Sequence, residues 1–149
     1  MTNEEILSMW KMGRTRLTNL LPEINSDDLH KKLHPESNNI GWMLRHIAEV
    51  EHLFAKNVFG QDVKVTVLTI GHQSTSKERF TNLDELKGFS DEAVQHLINA
   101  INAQEEGAWD EQISTKEFGT VKKSDAIARI MTHTAWHAGQ IKLALKYGT

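Results

Sequence analysis

The sequence contains no cysteine and only two prolines among its 149 residues. The missing cysteines exclude disulfides, thiolate nucleophiles and cysteine-ligated zinc sites, so any metal site must use histidine, aspartate or glutamate. The scarcity of proline leaves room for long helices. No apolar run approaches the roughly 18 residues that a membrane-spanning helix needs, so we expect no membrane partner.

Positive charge is also limited, because 17 Lys and Arg stand against 20 Asp and Glu for a net charge of -3. Without a basic excess the chain has little with which to neutralise phosphates, and we expect no nucleic-acid partner. The first residues, Met1–Glu5, carry acidic groups where a signal peptide would carry positive charge, which favours a cytoplasmic protein. With 39% apolar and 25% charged residues, the composition is typical of one globular domain over residues 1–149.

Apolar residues recur at helical spacing in four segments, which predicts an all-α four-helix bundle with long connections. The predicted helices span about residues 2–21, 39–59, 83–103 and 122–146. Pro22 ends the first helix, Asn38 or Asn39 caps the second, and Asn82 with Glu85 forms a capping-box pattern at the third. The long connections leave the relative directions of the helices open.

The connection between the second and third helices contains a different pattern. Val63, Val65 and Val67 alternate with polar residues, which is typical of a strand or an extended arm. One possibility is that residues 63–70 pair with 113–121 in a short β hairpin. Another is that the arm crosses the length of the bundle.

Eight histidines are the unusual feature of the composition. His133 and His137 are four residues apart on the fourth predicted helix and therefore share one face, as a chelating pair requires. His46 falls on the apolar face of the second helix. Three histidines facing one core would form a site with an open fourth position, which is typical of catalytic zinc-type centres, and imidazoles suit Zn, Ni, Cu or Fe. Composition alone gives roughly 0.4 pairs at this spacing, so half-buried histidines bonded to the backbone are the alternative interpretation.

The other five histidines are expected to lie outside such a site. His30 and His34 are also four residues apart, but Pro35 pushes His34 toward extended backbone and so prevents helical stacking. The remaining three fall on polar surfaces, in loops or beside the apolar stripe of a helix: His52, His72 and His96.

Two segments, Gly41–Glu49 (GWMLRHIAE) and His133–Ile141 (HTAWHAGQI), resemble the DinB superfamily. The resemblance covers the whole chain in helix order. It implies a four-helix bundle, commonly homodimeric, in which His46, His133 and His137 hold a divalent metal. Relatives include bacillithiol or mycothiol S-transferases and mycothiol-dependent maleylpyruvate isomerases. The implied function is metal-dependent S-transfer or hydrolysis on a small molecule, with a low-molecular-weight bacterial thiol as co-substrate.

Four residues near the histidines are candidates for a role in such a site. Glu49 lies one turn from the ligand on the second helix and is a candidate general base or hydrogen-bond acceptor, the alternative being a solvated helix charge. Gln140 is a candidate for orienting a ligand, the alternative being a contact with a neighbouring helix. Trp42 and Trp136 flank the histidines, and we expect them to pack in the core rather than to wall a pocket.

A function of a different class is a stress-associated, dimeric scaffold protein with a structural or vestigial metal. The β-branched arm favours it, because an extended arm offers an unpaired edge to a partner. The absence of an unambiguous acid or base in the sequence also favours it.

Overall fold

The computed structural model describes residues 1–71 and 79–149, so His72 lies outside the described residues. Its helices are α1 (Asn3–Thr18), α2 (Ile40–Leu53), α3 (Leu83–Asn102) and α4 (Lys123–Tyr147). A two-stranded antiparallel hairpin, β1 (Gln112–Thr115) and β2 (Gly119–Lys122), joins α3 to α4. The predicted four-helix, all-α class is confirmed. None of the described helices combines the length and apolar content that crossing a bilayer requires.

Polar caps define the helix starts that the sequence predicted. The Asn39 side-chain oxygen accepts a hydrogen bond from the Trp42 backbone N–H at 2.8 Å, and Asn82 accepts from the Glu85 N–H at 3.2 Å. Each bond satisfies one of the N–H groups that a helix start leaves without a backbone partner. Pro22 lies in a short 3₁₀ turn after α1, so the first helix ends close to the predicted breaker.

The C-terminal end of α2 departs from α-helical geometry. Residues Phe54–Val58 form one π-helical turn, in which the Phe59 N–H donates to the Phe54 carbonyl at 3.2 Å. The predicted end of this helix near residue 59 is therefore correct, but its last turn is wider than an α-helical turn. Such turns are rare and frequently occur at functional sites.

Helices α2 and α3 run in the same direction. Gly41, at the start of α2, lies against Phe80 just before α3, and His52 near the end of α2 contacts His96 in the second half of α3. A Cβ atom on Gly41 would lie 2.1 Å from the Phe80 carbonyl oxygen, so only glycine permits this approach. α2 and α3 are therefore parallel, one of the arrangements that the sequence left open.

Two apolar clusters fill the bundle. One includes Leu17, Ile40, Ile47 and Ile141, and the other includes Ile6, Trp10, Leu97, Trp109 and Ile130. Each of the four helices contributes to this core, and the largest of these side chains are almost completely buried. Burial on this scale is the main driving force for folding.

A buried polar layer lies between the two apolar clusters. The Arg14 guanidinium makes bidentate hydrogen bonds to the Glu51 carboxylate, with Nε–Oε1 and Nη2–Oε2 distances of 3.0 Å. Arg14 also donates to the Ser90 hydroxyl at 2.8 Å, and the Thr134 hydroxyl donates to Glu51 at 3.1 Å. This layer ties together residues from all four helices, and the charges of the ion pair compensate each other.

The predicted pairing of residues 63–70 with 113–121 is wrong. The strands instead pair with each other in a local hairpin, with Ile113 opposite Val121 and Thr115 opposite Gly119. Gly119 has φ of +70°, a conformation that favours glycine and lets a three-residue loop close the hairpin. A local hairpin costs less chain entropy than pairing segments that are about 50 residues apart.

The arm over residues 63–70 has no regular secondary structure and is bound by α2 side chains instead of by a strand. Arg45 donates to the Thr66 carbonyl at 2.7 Å, and Glu49 accepts from the backbone N–H groups of Leu68 and Thr69, both at 3.0 Å. These side chains satisfy backbone groups that a strand partner would otherwise have to satisfy. The arm therefore lies along α2.

Candidate metal centre

The three histidines predicted as metal ligands converge on one point. One potential ligand atom from each of His46, His133 and His137 lies within 4.8 Å of the other two. The Nε2 atoms of His46 and His133 are 3.1 Å apart, and the ring centroids are separated by 4.7 to 5.0 Å. Across residues 1–71 and 79–149, no other group of three or more histidines and carboxylates converges in this way.

Neighbouring side chains orient two of the rings. The Nδ1 atom of His46 lies 3.1 Å from the Thr69 hydroxyl, and that of His137 lies 2.7 Å from the side-chain oxygen of Gln140. An Nδ1–H that donates to Gln140 leaves Nε2 of His137 as the ring's lone-pair donor, as in metal-binding histidines whose other nitrogen is hydrogen-bonded. Gln140 therefore contacts a candidate ligand through its side-chain oxygen.

The third ring differs from the other two. The Nδ1 atom of His133 is buried, and none of the described residues forms a hydrogen bond with it, while its Nε2 atom faces His46. A buried imidazole nitrogen without a partner carries a desolvation cost. Three imidazoles directed at one point form a donor set that suits a divalent transition metal.

The protonation equilibria of these rings favour the metal-binding form. Burial, and then the neighbouring His137 ring, lowers the pKa of His46 to about 4. Burial, followed by the proximity of the other two rings, lowers the pKa of His133 to about 3, and burial also lowers the pKa of His137. All three rings are therefore neutral at pH 7, and a neutral imidazole is the form that ligates a metal.

The two tryptophans that flank the histidines have different environments. Trp42 is buried and stacks on His46, with the ring centroids 4.6 Å apart and the planes inclined by 16°. Trp136 is 70% exposed, so the expectation of core packing is correct for Trp42 and wrong for Trp136. Trp136 faces away from the core because its neighbours on α4, His133 and His137, occupy the inner side.

Glu49 is not a solvated helix charge, because its side chain is completely buried. Its carboxylate accepts hydrogen bonds from Arg45 at 3.2 Å and from the backbone N–H groups of Leu68 and Thr69. Thr69 in turn contacts His46 through its hydroxyl. Glu49 thus fixes the segment that carries the hydrogen-bond partner of His46.

The structure also corrects the predicted surface position of His52. This side chain is buried between α2 and α3, with Nε2 at 3.1 Å from the Phe89 carbonyl and Nδ1 at 2.8 Å from Nδ1 of His96. The pair lies outside the three-histidine cluster, because α2 is covered on this side by α3. His30 and His34 are exposed and also lie outside the cluster, as predicted.

Sequence reasoning missed Thr69 completely. No periodicity marks it, because its position depends on the path of the arm over α2. The signal that was available was indirect, since Glu49 lies one turn from His46 on the same helix. A carboxylate in that position is compatible with a nearby donor but equally with a solvated helix charge.

Solved structures share this architecture. A conserved protein from Enterococcus faecalis matches with a TM-score of 0.74 at 12% identity, over 99% of this chain and 97% of that one. A mycothiol-dependent maleylpyruvate isomerase matches with a TM-score of 0.70 at 16% identity, and a variant of the isomerase matches with 0.73 at 15%. Each alignment covers 95% of this chain but only 61% of the isomerase chain. At these identities the likeness shows the fold.

None of the curated proteins with which the sequence was compared matches it. Residues 9–141 match the DinB superfamily. That range includes all three converging histidines and all of α2 and α3. The chain is a member of the DinB superfamily.

Proposed function

We propose that this protein is a metal-dependent enzyme in which His46, His133 and His137 hold a divalent transition metal such as Zn, Ni or Fe. The convergence of the three rings is the observation that carries the proposal. When bound, such a metal acts as a Lewis acid and lowers the pKa of a water molecule or thiol. The rings are neutral at pH 7, so no proton has to be removed before they ligate.

The remaining contacts position the donor atoms. Gln140 holds the ring of His137, and Thr69 holds the ring of His46. Glu49 acts one step further away, because it binds the Thr69 backbone and not a ring. We assign positioning roles to Gln140 and Glu49.

The proposed chemistry is S-transfer from a low-molecular-weight thiol to a small electrophile, or a related hydrolysis, in the cytoplasm. The chain has no cysteine, so a thiol nucleophile has to come from a co-substrate. A mycothiol-dependent isomerase is among the proteins that share the fold, which supports thiol chemistry over hydrolysis.

Elemental analysis of protein purified without added metal tests the site. We expect about one first-row transition metal per chain in the wild type and none in the His133→Ala, His137→Ala double variant. His30→Ala is the matched control, because that histidine is exposed and outside the cluster, and it retains the metal. A wild type that is empty and binds neither zinc nor nickel on titration contradicts the proposal. If metal is present but no electrophile reacts with any common bacterial thiol, the S-transfer assignment is wrong.

A second candidate function is a non-catalytic dimeric scaffold, and the surface of α4 supports it. Trp136, Leu143 and Tyr147 are 70%, 49% and 63% exposed, and their spacing of seven and four residues places them on one stripe. Large apolar side chains grouped on a surface are typical of interaction sites. We propose that this stripe contributes to a homodimer interface in either function. Light scattering should give the mass of two chains for the wild type and of one chain for Trp136→Lys, whereas a monomeric wild type contradicts the dimer.

A further inference from the structure

A cavity of about 300 Å³ opens beside the histidine cluster, and both His46 and His133 line it. Its apolar wall includes Val50, Leu53, Phe54, Val58 and Ile70. The first four of these side chains are only half-buried, although they belong to α2 and its π-helical turn near the middle of the fold. Apolar surface left open next to a candidate metal centre is the usual setting of a small-molecule site.

One exposed arginine also lines the cavity, and its guanidinium has no anionic partner among the described residues. Arg129 lies one turn before His133 on α4 and lines the same cavity. Its guanidinium carbon is 4.8 Å from the centroid of the Phe118 ring. The described chain provides it with neither an ion pair nor a side-chain hydrogen bond, whereas Arg14 and Arg45 each bind a carboxylate.

The other charged group at the cavity does not neutralise Arg129. Glu117 lies on the hairpin and is exposed, and its carboxylate is not among the ion-pair partners in the described residues. The ring of Phe118 supports one face of the guanidinium, which leaves the N–H edges for a ligand. A planar guanidinium fork matches the two oxygens of a carboxylate.

We propose that this cavity binds a small amphipathic carboxylate. Its carboxylate pairs with Arg129, and its apolar body lies against Val50, Leu53, Phe54 and Val58. The assignment rests on the proposed function, because it places the body of the ligand next to His46 and His133, and it names Arg129 as the residue that selects an anionic substrate.

The test uses 4-phenylbutyrate as the probe and two analogues with the same carbon chain, the neutral, isosteric 4-phenylbutanamide and the cationic 4-phenylbutylamine. Binding to the full chain is measured by calorimetry, and amide NMR shifts at Arg129 and Val58 locate the probe. We expect the acid to bind about fivefold more tightly than the amide, a difference of about 1 kcal/mol. Arg129→Gln should reduce the affinity for the acid to that for the amide and leave the amide affinity unchanged. In the matched control, Glu117→Gln, the preference for the acid persists.

Several results overturn the assignment. They are equal affinities for acid and amide, tighter binding of the amine, or an acid affinity that Arg129→Gln does not change. Measurements on metal-free and zinc-loaded protein distinguish the contribution of the metal from that of Arg129. If the acid is preferred over the amide only in the presence of zinc, and still is in Arg129→Gln, the metal and not Arg129 binds the carboxylate.

The same samples separate this inference from the proposed function. If the chain binds no zinc but metal-free protein shows the Arg129-dependent preference, the cavity assignment stands and the enzyme proposal fails. If zinc binds to the three histidines and the acid has no preference, the cavity assignment fails and the metal site stands.

Discussion

Removal of one partner from the buried Arg14–Glu51 pair should be among the most destabilising single changes in this protein. The two side chains are 6% and 0% exposed. Within the described residues, Arg14→Met leaves the Glu51 carboxylate with the Thr134 hydroxyl as its one remaining side-chain donor. An uncompensated buried charge costs about 3–5 kcal/mol. At about 2–4 °C per kcal/mol for a chain of this size, the expected fall in Tm is about 6–20 °C.

Urea unfolding and calorimetry of a double-mutant cycle measure this effect. The double variant Arg14→Met, Glu51→Leu replaces both charges by apolar groups, so it should recover most of the stability that Arg14→Met loses. Lys142→Met is the surface control, because Lys142 and Glu23 are 60% and 54% exposed and their pair is worth at most about 1 kcal/mol. A loss below about 1 kcal/mol for Arg14→Met, or additive losses in the double variant, would refute the reasoning.

Four further outcomes are expected. Burial lowers the pKa of His133 to about 3. As the pH falls below about 6.5, this histidine therefore binds a proton in the unfolded chain before it does so in the folded chain. The metal-free protein should consequently lose stability progressively between about pH 6.5 and 3. Urea midpoints across this range measure the loss, and the curve of His133→Gln should be shallower. Gly41→Ala forces a Cβ against the Phe80 carbonyl and should cost about 1–3 kcal/mol in thermal unfolding. Gly88→Ala, which meets open space within α3, should instead stabilise by up to about 1 kcal/mol. Gln140→Leu should weaken metal binding about 10- to 100-fold in a chelator competition, and an unchanged affinity would exclude its positioning role.

The parts of the fold that the sequence predicted depend on local chemistry. Asn39 and Asn82 begin helices because their side chains bind the first free N–H groups, whatever the surrounding structure. His133 and His137 share a face because four residues span about one helical turn. His46 was identified because burying an imidazole on an apolar face costs free energy unless its nitrogens have partners.

The parts that the sequence did not predict depend on which elements cover a helix. α2 packs against α3 and α4 and also binds α1 through Glu51, so its polar residues are not on a solvent face. Glu49, Glu51 and His52 are all buried, each with a partner from another segment. A helical wheel assigns polar residues to water because it contains no information about those partners. Residues 63–70 were assigned to the wrong partner for the same reason.

The π-helical turn at Phe54–Val58 contributes to the shape of the cavity beside the histidines. A hydrogen bond from residue i to i+5 encloses one residue more than an α-helical turn, so this turn is equivalent to a single inserted residue. Deletion of one residue here would restore α-helical geometry and rotate the chain beyond the turn by about 100° relative to the helix before it. Phe54, Asn57 and Val58 all line the cavity beside the histidines. The shape of that cavity can therefore be altered by changing the length of the chain by one residue, without any substitution among the candidate ligands.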